Sequence, residues 1–194
     1  MQHSPDHPIA AVAIGASAGG IDALLQILRG LPPGFSLPIF VVLHLPEDRN
    51  SRLVEVFRAH VALPVVEALD KSRIEPGTLY FACAGYHLSV EQDLSFSLSC
   101  EAPLHYSRPS IDILMESAAD AYGERLLGIV LSGANHDGAA GLARIKRMGG
   151  MTVVQNPEQA QAGTMPRAAI ELTQPDLILP LQEIHSLLLT LEKH

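Results

Sequence analysis

The sequence predicts an α/β fold: a doubly wound, mostly parallel sheet with helices on both faces, of the Rossmann-like three-layer kind, with an added β-hairpin. Three observations point there. Short continuous apolar runs recur along the 194 residues, segments with helical apolar spacing lie between them, and polar motifs follow directly where the runs end. Continuous apolar runs of this length suit strands buried on both faces, as parallel strands are. Strand–helix–strand alternation sets such strands side by side through crossover helices.

The elements follow in order. Residues 9–14 (IAAVAI) form the first strand, and Ile21, Leu24, Leu25 and Leu28 line the inner face of the first helix at i, i+3, i+4 and i+7. Residues 39–43 (IFVVL) form the next strand. Leu53, Val56, Phe57 and His60 repeat the helical stripe behind Ser51, a candidate N-cap. Residues 64–100 differ: Pro64, Pro76 and Gly77 punctuate short segments such as 78–81 and 87–90, before the polar–apolar alternation LSFSLS. That stretch reads as a hairpin or meander appended to the sheet. Ser110 is placed to cap a helix with Ile111, Leu114, Met115 and Ala118 inward. Residues 126–131 (LLGIVL) return to strand. Leu142, Ile145 and Met148 face inward on a helix that stops at Gly149-Gly150, and residues 151–155 (MTVVQ) make a further strand. Leu181, Ile184, Leu188 and Leu191 mark a closing helix over residues 181–193.

Composition sets the bounds. Hydrophobic residues are 47% and charged residues 18%, which excludes a disordered, charge-rich chain. With only 5% aromatics and no Trp, Ala, Val, Ile and Leu are expected to build the core. Thirteen basic against 21 acidic side chains give −8 at pH 7, a poor balance for nucleic acid or anionic membranes. Cys83 and Cys100 are expected to be free thiols of a cytoplasmic protein. No basic-then-apolar start and no apolar stretch near ~20 residues predicts a leader or membrane span. Residues 1–8 read as a tail and 9–194 as one domain.

Three polar motifs stand where strands end, the edge at which open α/β sheets collect reacting groups. The first is GASAGG at residues 15–20, between a strand and a helix. Gly15-Ala16-Ser17-Ala18-Gly19 fits the G-x-S-x-G turn, in which small flanking residues present a serine hydroxyl with the free N–H groups of a helix start behind it. Three readings stay open on this motif alone: Ser17 as nucleophile, a phosphate loop lacking the G-x-G-x-x-G pattern, or a plain turn with Ser17 as cap. The second motif is His44, followed by Leu45-Pro46, either a polar strand end or a general base within reach of Ser17. The third is SGANHDG at 132–138. Asp137 either caps the helix from about Ala139 or orients His44 as the third member of a triad. His136 is the weaker candidate base, since its neighbour Asp137 points the other way. Arg108 and Asp112, flanking Pro109-Ser110, read as a cap and a salt bridge, and His87 either faces the site or packs. His3, His7, His60, His105, His185 and His194 lack ligand spacing, so no metal is expected.

The order of these motifs resembles the catalytic domain of CheB-type chemotaxis methylesterases, also called protein-glutamate methylesterase/glutaminases, from about residue 9 to the C-terminal helix. GASAGG resembles the family's serine motif, VVLHLP its histidine motif and LSGANHDGAAGL its aspartate motif; RIEPGTLYFACAGYHL, RPSID and QNPEQAQAGTMPRAAI resemble further blocks in the same order. The resemblance implies a doubly wound sheet with an added hairpin, a Ser17–His44–Asp137 triad, and oxyanion donors at the backbone N–H groups of Ala18 and Ala134. It implies a cytoplasmic serine hydrolase that demethylates glutamate γ-methyl esters on chemoreceptor signalling helices, releases methanol, and deamidates glutamine by the same path, without cofactor or metal. The expected partners are methylated chemoreceptor helices, not nucleic acid and not a membrane interior. The alternative is a catalytically weak or inactive CheB-like module that binds a signalling partner. Full-length relatives carry an N-terminal phospho-receiver domain; with its first strand near residue 9, this chain is expected to be the catalytic domain alone, with any regulator in trans. Three departures stand out. Ala18 replaces the family's usual Thr, Ala134-Asn135-His136 replace Met-Gly-x before the aspartate, and ACAGYH at 82–87 replaces A-P-G-x-x-H. They alter the pocket wall more than the chemistry. Arg49, Arg52 and Arg108 are the candidates for local positive surface facing a Glu-rich helix.

Overall fold

The computed structural model describes residues 8–44, 52–104 and 106–191. In chain order the elements are β1 (Ala11–Ala16), α1 (Gly20–Leu28), β2 (Ile39–Leu43), α2 (Leu53–Arg58), β3 (Val65–Glu67), β4 (Leu79–Phe81), β5 (His87–Val90), β6 (Phe96–Ser99) and α3 (Ile111–Tyr122). A 3-10 turn at Gly123–Arg125 leads to β7 (Leu126–Val130), α4 (Ala139–Arg147), β8 (Met151–Gln155), α5 (Thr164–Thr173), β9 (Leu177–Leu179) and α6 (Leu181–Leu191). Seven strands form one parallel sheet in the order β3-β4-β2-β1-β7-β8-β9, and β5 and β6 pair antiparallel as a separate hairpin. From β1 the chain works outward through β2 to the β4 and β3 edge, then returns to the other side of β1 and continues outward from β7. The order therefore reverses between β1 and β7, which opens a crevice beyond their carboxyl ends.

Alternation along each strand feeds two apolar layers. Val12, Ile14, Val41 and Ile129 face α1, α2 and α6, packing on Leu24, Ile27, Phe57, Ile184 and Leu188. Ala11, Ala13, Phe40 and Val130 face α3, α4, α5 and the hairpin. The small residues of β1 on that second face let α3 come close: a Cβ on Gly15 would sit 2.3 Å from Ile111 Cγ2. The phenylalanines are all spent inside, since Phe35, Phe40, Phe57, Phe81 and Phe96 are wholly buried, whereas Tyr86 and Tyr106 are exposed. Phe96 brings the hairpin onto the sheet, edge-on to Phe40 at 5.5 Å and to Tyr80 at 4.8 Å between ring centroids. Among the described residues no helix is long and apolar enough to cross a membrane, and Cys83 and Cys100 are free thiols.

Several expectations need correction. The stretch 64–100 is not wholly an appendage, because β3 and β4 join the main sheet as parallel strands beside β2. Helix α2 ends at Arg58, so of its expected inner face only Leu53 and Phe57 are buried; Val56 is 38% exposed, and His60 lies past the helix on the surface with Nδ1 against Val56 O at 2.8 Å. Ser51, Arg49 and the histidines at 3, 7, 105 and 194 lie outside the described residues. Met148 is exposed because it is already the C-cap of α4. Gly149 N–H donates to Lys146 O and Gly150 N–H to Ile145 O, with Gly149 at φ 85, the paired bonds of a Schellman stop.

Candidate active site

The three motif loops leave adjacent strands and are stitched together by backbone. Leu131 N–H donates to Gly15 O (2.9 Å), Ser17 N–H to Ser132 O (2.9 Å) and His44 N–H to Ala16 O (3.0 Å). Gly19, the N-cap of α1, turns the chain from β1 into the helix at φ 77. A Cβ there would also strike the Gln161 side chain at 2.6 Å, so glycine serves both the turn and the close approach. Ser17, His44 and Asp137 thus share the crevice at the carboxyl ends of β1, β2 and β7.

Asp137 is wholly buried, and its carboxylate is held from three sides. Oδ1 accepts from Ser110 Oγ (2.9 Å) and Asp112 N–H (2.9 Å), and Oδ2 accepts from Ile111 N–H (2.7 Å). Its expected local role as cap of α4 is not what it does: it caps α3, the neighbouring helix. Asp112 returns the arrangement, its Oδ1 accepting from Gly138 N–H (2.9 Å) and Gly141 N–H (2.7 Å) at the start of α4. Each helix is therefore capped by an aspartate from the other. Among the described residues no ion pair joins Asp112 to Arg108, whose guanidinium donates to Cys100 O and Glu101 O. Ser110 caps nothing with its own side chain, since its hydroxyl is spent on Asp137.

His87 belongs to the support. Its Nδ1 accepts Ser110 N–H (3.1 Å) while Nε2 donates to Ala102 O (3.2 Å), which leaves a neutral, buried ring bracing the loop that carries Ser110. Burial works to raise the Asp137 carboxyl, but the His44 contact and the N–H groups of Asp112 and Ile111 outweigh it and hold the group below the usual carboxylate range.

His44 is mostly covered, and its Nε2 approaches Asp137 Oδ2 to 3.0 Å. The approach is bent, so Nε2 makes no aligned hydrogen bond despite the short distance. The other ring nitrogen, Nδ1, meets the Asn135 side-chain amide at 3.2 Å. The structure brings His44 and Asp137 together, and it places the Ser17 loop beside them, but no hydrogen bond joins the Ser17 hydroxyl to His44 among the described residues. His136 is exposed and takes no part in these contacts.

Ser132 ties the Ser17 loop to the loop after β8. Its hydroxyl donates to Ala18 O (2.7 Å) and accepts Ala162 N–H (2.9 Å), while its own N–H donates to the buried Gln155 Oε1 (2.8 Å). Gly133 is clasped between Ala162 O and Met165 N–H, and a Cβ on it would come within 2.6 Å of Met165 Sδ. Among the described residues neither the Ala18 nor the Ala134 N–H meets an acceptor, which leaves both available to an oxyanion. No cluster of three His, Cys, Asp or Glu among the described residues is placed to hold a metal ion. The arrangement suits proton transfer beside a small nucleophile. Sequence reasoning read Asp112 only as a cap or ion-pair residue and gave Ser132, Gln155 and Met165 no part in the site. Their signal lay in the quoted blocks RPSID, LSGANHDGAAGL and QNPEQAQAGTMPRAAI and in their place at strand ends and helix starts.

Residues 12–188 match the family model described as CheB methylesterase. A protein of Leptospira interrogans named putative protein-glutamate methylesterase/protein-glutamine glutaminase is 41% identical over 184 residues, covering 95% of both chains. The protein-glutamate methylesterase FrzG of Myxococcus xanthus is 36% identical over 95% of this chain and 55% of its own length. Among solved structures, the CheB methylesterase catalytic domain of Thermotoga maritima superposes with a TM-score of 0.90 at 30% identity, covering 95% of this chain and all of that one.

Proposed function

Because this chain belongs to the CheB methylesterase family, we propose that it is a serine hydrolase removing methyl groups from glutamate γ-methyl esters, with Ser17, His44 and Asp137 as its triad and residues 9–194 as the catalytic domain. The observation that carries the assignment is the buried Asp137 carboxylate 3.0 Å from His44 Nε2, beside the loop that presents Ser17. With Nε2 turned to Asp137, Nδ1 is the nitrogen left for the nucleophile.

Ser17 Oγ attacks the ester carbonyl as His44 Nδ1 takes its proton. The Ala18 and Ala134 N–H groups receive the oxyanion. His44 returns the proton to the departing methoxide, giving methanol and a glutamyl ester of Ser17. Water then attacks that ester with the same base, releasing the glutamate carboxylate and Ser17. A positioned base contributes about 10²–10⁴-fold and one oxyanion donor about 10²–10³-fold. Deamidation of glutamine follows the same path with ammonia as the leaving group. The substrates are methylated chemoreceptor helices, acted on in the cytoplasm as part of a signalling system.

Methanol release from methylated receptor membranes tests the proposal. Ser17→Ala should abolish release while the circular dichroism spectrum stays unchanged; continued release would remove Ser17 from the chemistry. A second reading, a CheB-like module that docks a partner without turnover, draws support from the Ser17 hydroxyl that does not bond His44. Stoichiometric labelling of Ser17 by a fluorophosphonate would exclude that reading, and absence of labelling would favour it.

A further inference from the structure

Asn135 stands where the family motif carries glycine, and its side chain meets the reacting face of His44. Its Oδ1 accepts Asp137 N–H at 3.2 Å, closing a turn two residues long. That bond settles which way the amide points: the oxygen is on the backbone, so the NH2 group faces His44 Nδ1 at 3.2 Å. Nδ1 thus faces a donor, while Nε2 faces the Asp137 carboxylate at 3.0 Å. One ring state sets unlike groups against each other at both nitrogens, the neutral imidazole with its proton on Nε2, even though the bent approach leaves that proton without an aligned hydrogen bond. The opposite tautomer would set two N–H groups against each other at Nδ1 and a lone pair against a carboxylate at Nε2. An imidazolium would keep the Asp137 contact but turn an Nδ1–H onto the amide. Around the ring, Asp137 comes from the loop after β7 with Asp112 of α3 behind it, and the Ser17 loop follows β1, the strand next to β2.

We propose that Asn135 is a positioning residue for the general base. Its amide holds His44 in the Nε2–H tautomer, keeps Nδ1 free of a proton, and yields that lone pair when Ser17 delivers its own proton. The proposal rests on the triad reading above, yet one of its tests does not. In full-length protein labelled with ¹⁵N-histidine, the His44 ring should show a protonated Nε2 and a bare Nδ1 at neutral pH. Asn135→Asp keeps the acceptor for Asp137 N–H but offers Nδ1 an oxygen, so it should move a proton onto Nδ1. A protonated Nδ1 in the unsubstituted protein, or a bare one in Asn135→Asp, overturns the proposal.

Fluorophosphonate labelling of Ser17 gives the kinetic reading. With its lone pair occupied by a proton, Asn135→Asp should label at least ~100-fold more slowly, the lower end of a general base's contribution. Asn135→Gly removes the donor and adds no acceptor, leaving Asp137 alone to fix the tautomer, so it should label only several-fold more slowly than the unsubstituted protein. An equal loss in both variants would show that the side chain serves only the shape of the loop, and it overturns the proposal. If the unsubstituted protein fails to label at all, the triad reading is what fails, and the ring-nitrogen signals still decide the role of Asn135.

Discussion

Asp137→Asn separates the two roles that meet in one carboxylate. Oδ1 serves Ser110 Oγ and Asp112 N–H, and an asparagine oxygen can keep both. The new NH2 group must then occupy the Oδ2 position, 2.7 Å from Ile111 N–H and 3.0 Å from His44 Nε2. At Ile111 a donor meets a donor, so a bond to a charged acceptor, of about 1.5–3 kcal/mol, is lost and a buried N–H is stranded. The expected cost is roughly 2–4 kcal/mol of stability. At about 2–4 °C per kcal/mol for a chain of this size, the melting temperature should fall by roughly 4–16 °C. At His44 the amide favours a lone pair on Nε2, so the proton moves to Nδ1 and the base is lost toward Ser17; activity should fall by up to ~10⁴-fold. Thermal melting by circular dichroism and methanol release on the same samples read the two effects separately. Unchanged activity with lowered stability would reduce Asp137 to a helix cap. An unchanged melting temperature would refute the capping account itself.

Asp112→Ala should cost about 1–2 kcal/mol, the scale of a lost N-cap, because the Gly138 and Gly141 N–H groups lose their acceptor; denaturant unfolding checks this, and methanol release should fall far less than in Asp137→Asn. Gly15→Ala should cost about 1–3 kcal/mol by overpacking, since its Cβ meets Ile111 Cγ2 at 2.3 Å on the residue whose N–H holds Asp137; a denaturant midpoint equal to that of the unsubstituted protein would contradict it. Acid should also find this site. The folded Asp137 carboxyl lies below its ordinary value, with burial opposed and outweighed by His44 and the backbone N–H groups, so its stabilisation is complete above about pH 4 and is lost as the pH falls through the lower folded value. Stability measured from pH 6 down to pH 2 should slope downward below pH 4 in the unsubstituted protein. The slope should be shallower in Asp137→Asn, and equal slopes would deny Asp137 its share.

What the sequence makes legible follows the physics of each element. β1, β2, β7 and β8 are continuous apolar runs because both faces are covered, and such runs stand out in any composition. β3 and β9 are edge strands of three residues, partly exposed, and too short for any periodicity to mark them. Helix α5 begins Thr-Met-Pro, a proline tolerated in a first turn, and its buried residues Met165, Pro166, Ala169 and Thr173 make no aliphatic stripe. At the site, Ser17, His44 and Asp137 are readable because topology alone puts them at neighbouring strand ends. The caps exchanged by Asp112 and Asp137 are not, since they join the first turn of α3 to the loop before α4, which no local pattern connects. His87 illustrates the same limit. Its position after a turn suited catalysis, whereas tertiary contact with Ser110 and Ala102 makes it a strut.

The two sides of the crevice are built to different tolerances. Asp137 is fixed by three donors of the α3 start. That start is braced by His87, and α4 behind it is tied back through Asp112. Displacing this carboxylate would strand a buried charge together with several N–H groups, and each such loss is costly in a dry interior. The Ser17 side carries no such penalty: Ser17 turns on one side-chain bond, its hydroxyl meets no partner among the described residues, and the Asn135 amide on Nδ1 is a neutral bond worth about 0.5–1.5 kcal/mol. Under the proposed mechanism, engaging the Ser17 hydroxyl with His44 is a rotation on one wall against a rigid opposite wall. That division accommodates the departures from the family pattern at Ala18, Ala134 and Asn135, whereas the one at residues 82–87 adjoins the braced wall through His87. Ala18, Ala134 and Asn135 shape the soft wall, where a changed side chain alters rate or substrate without unseating the acid that the fold itself depends on.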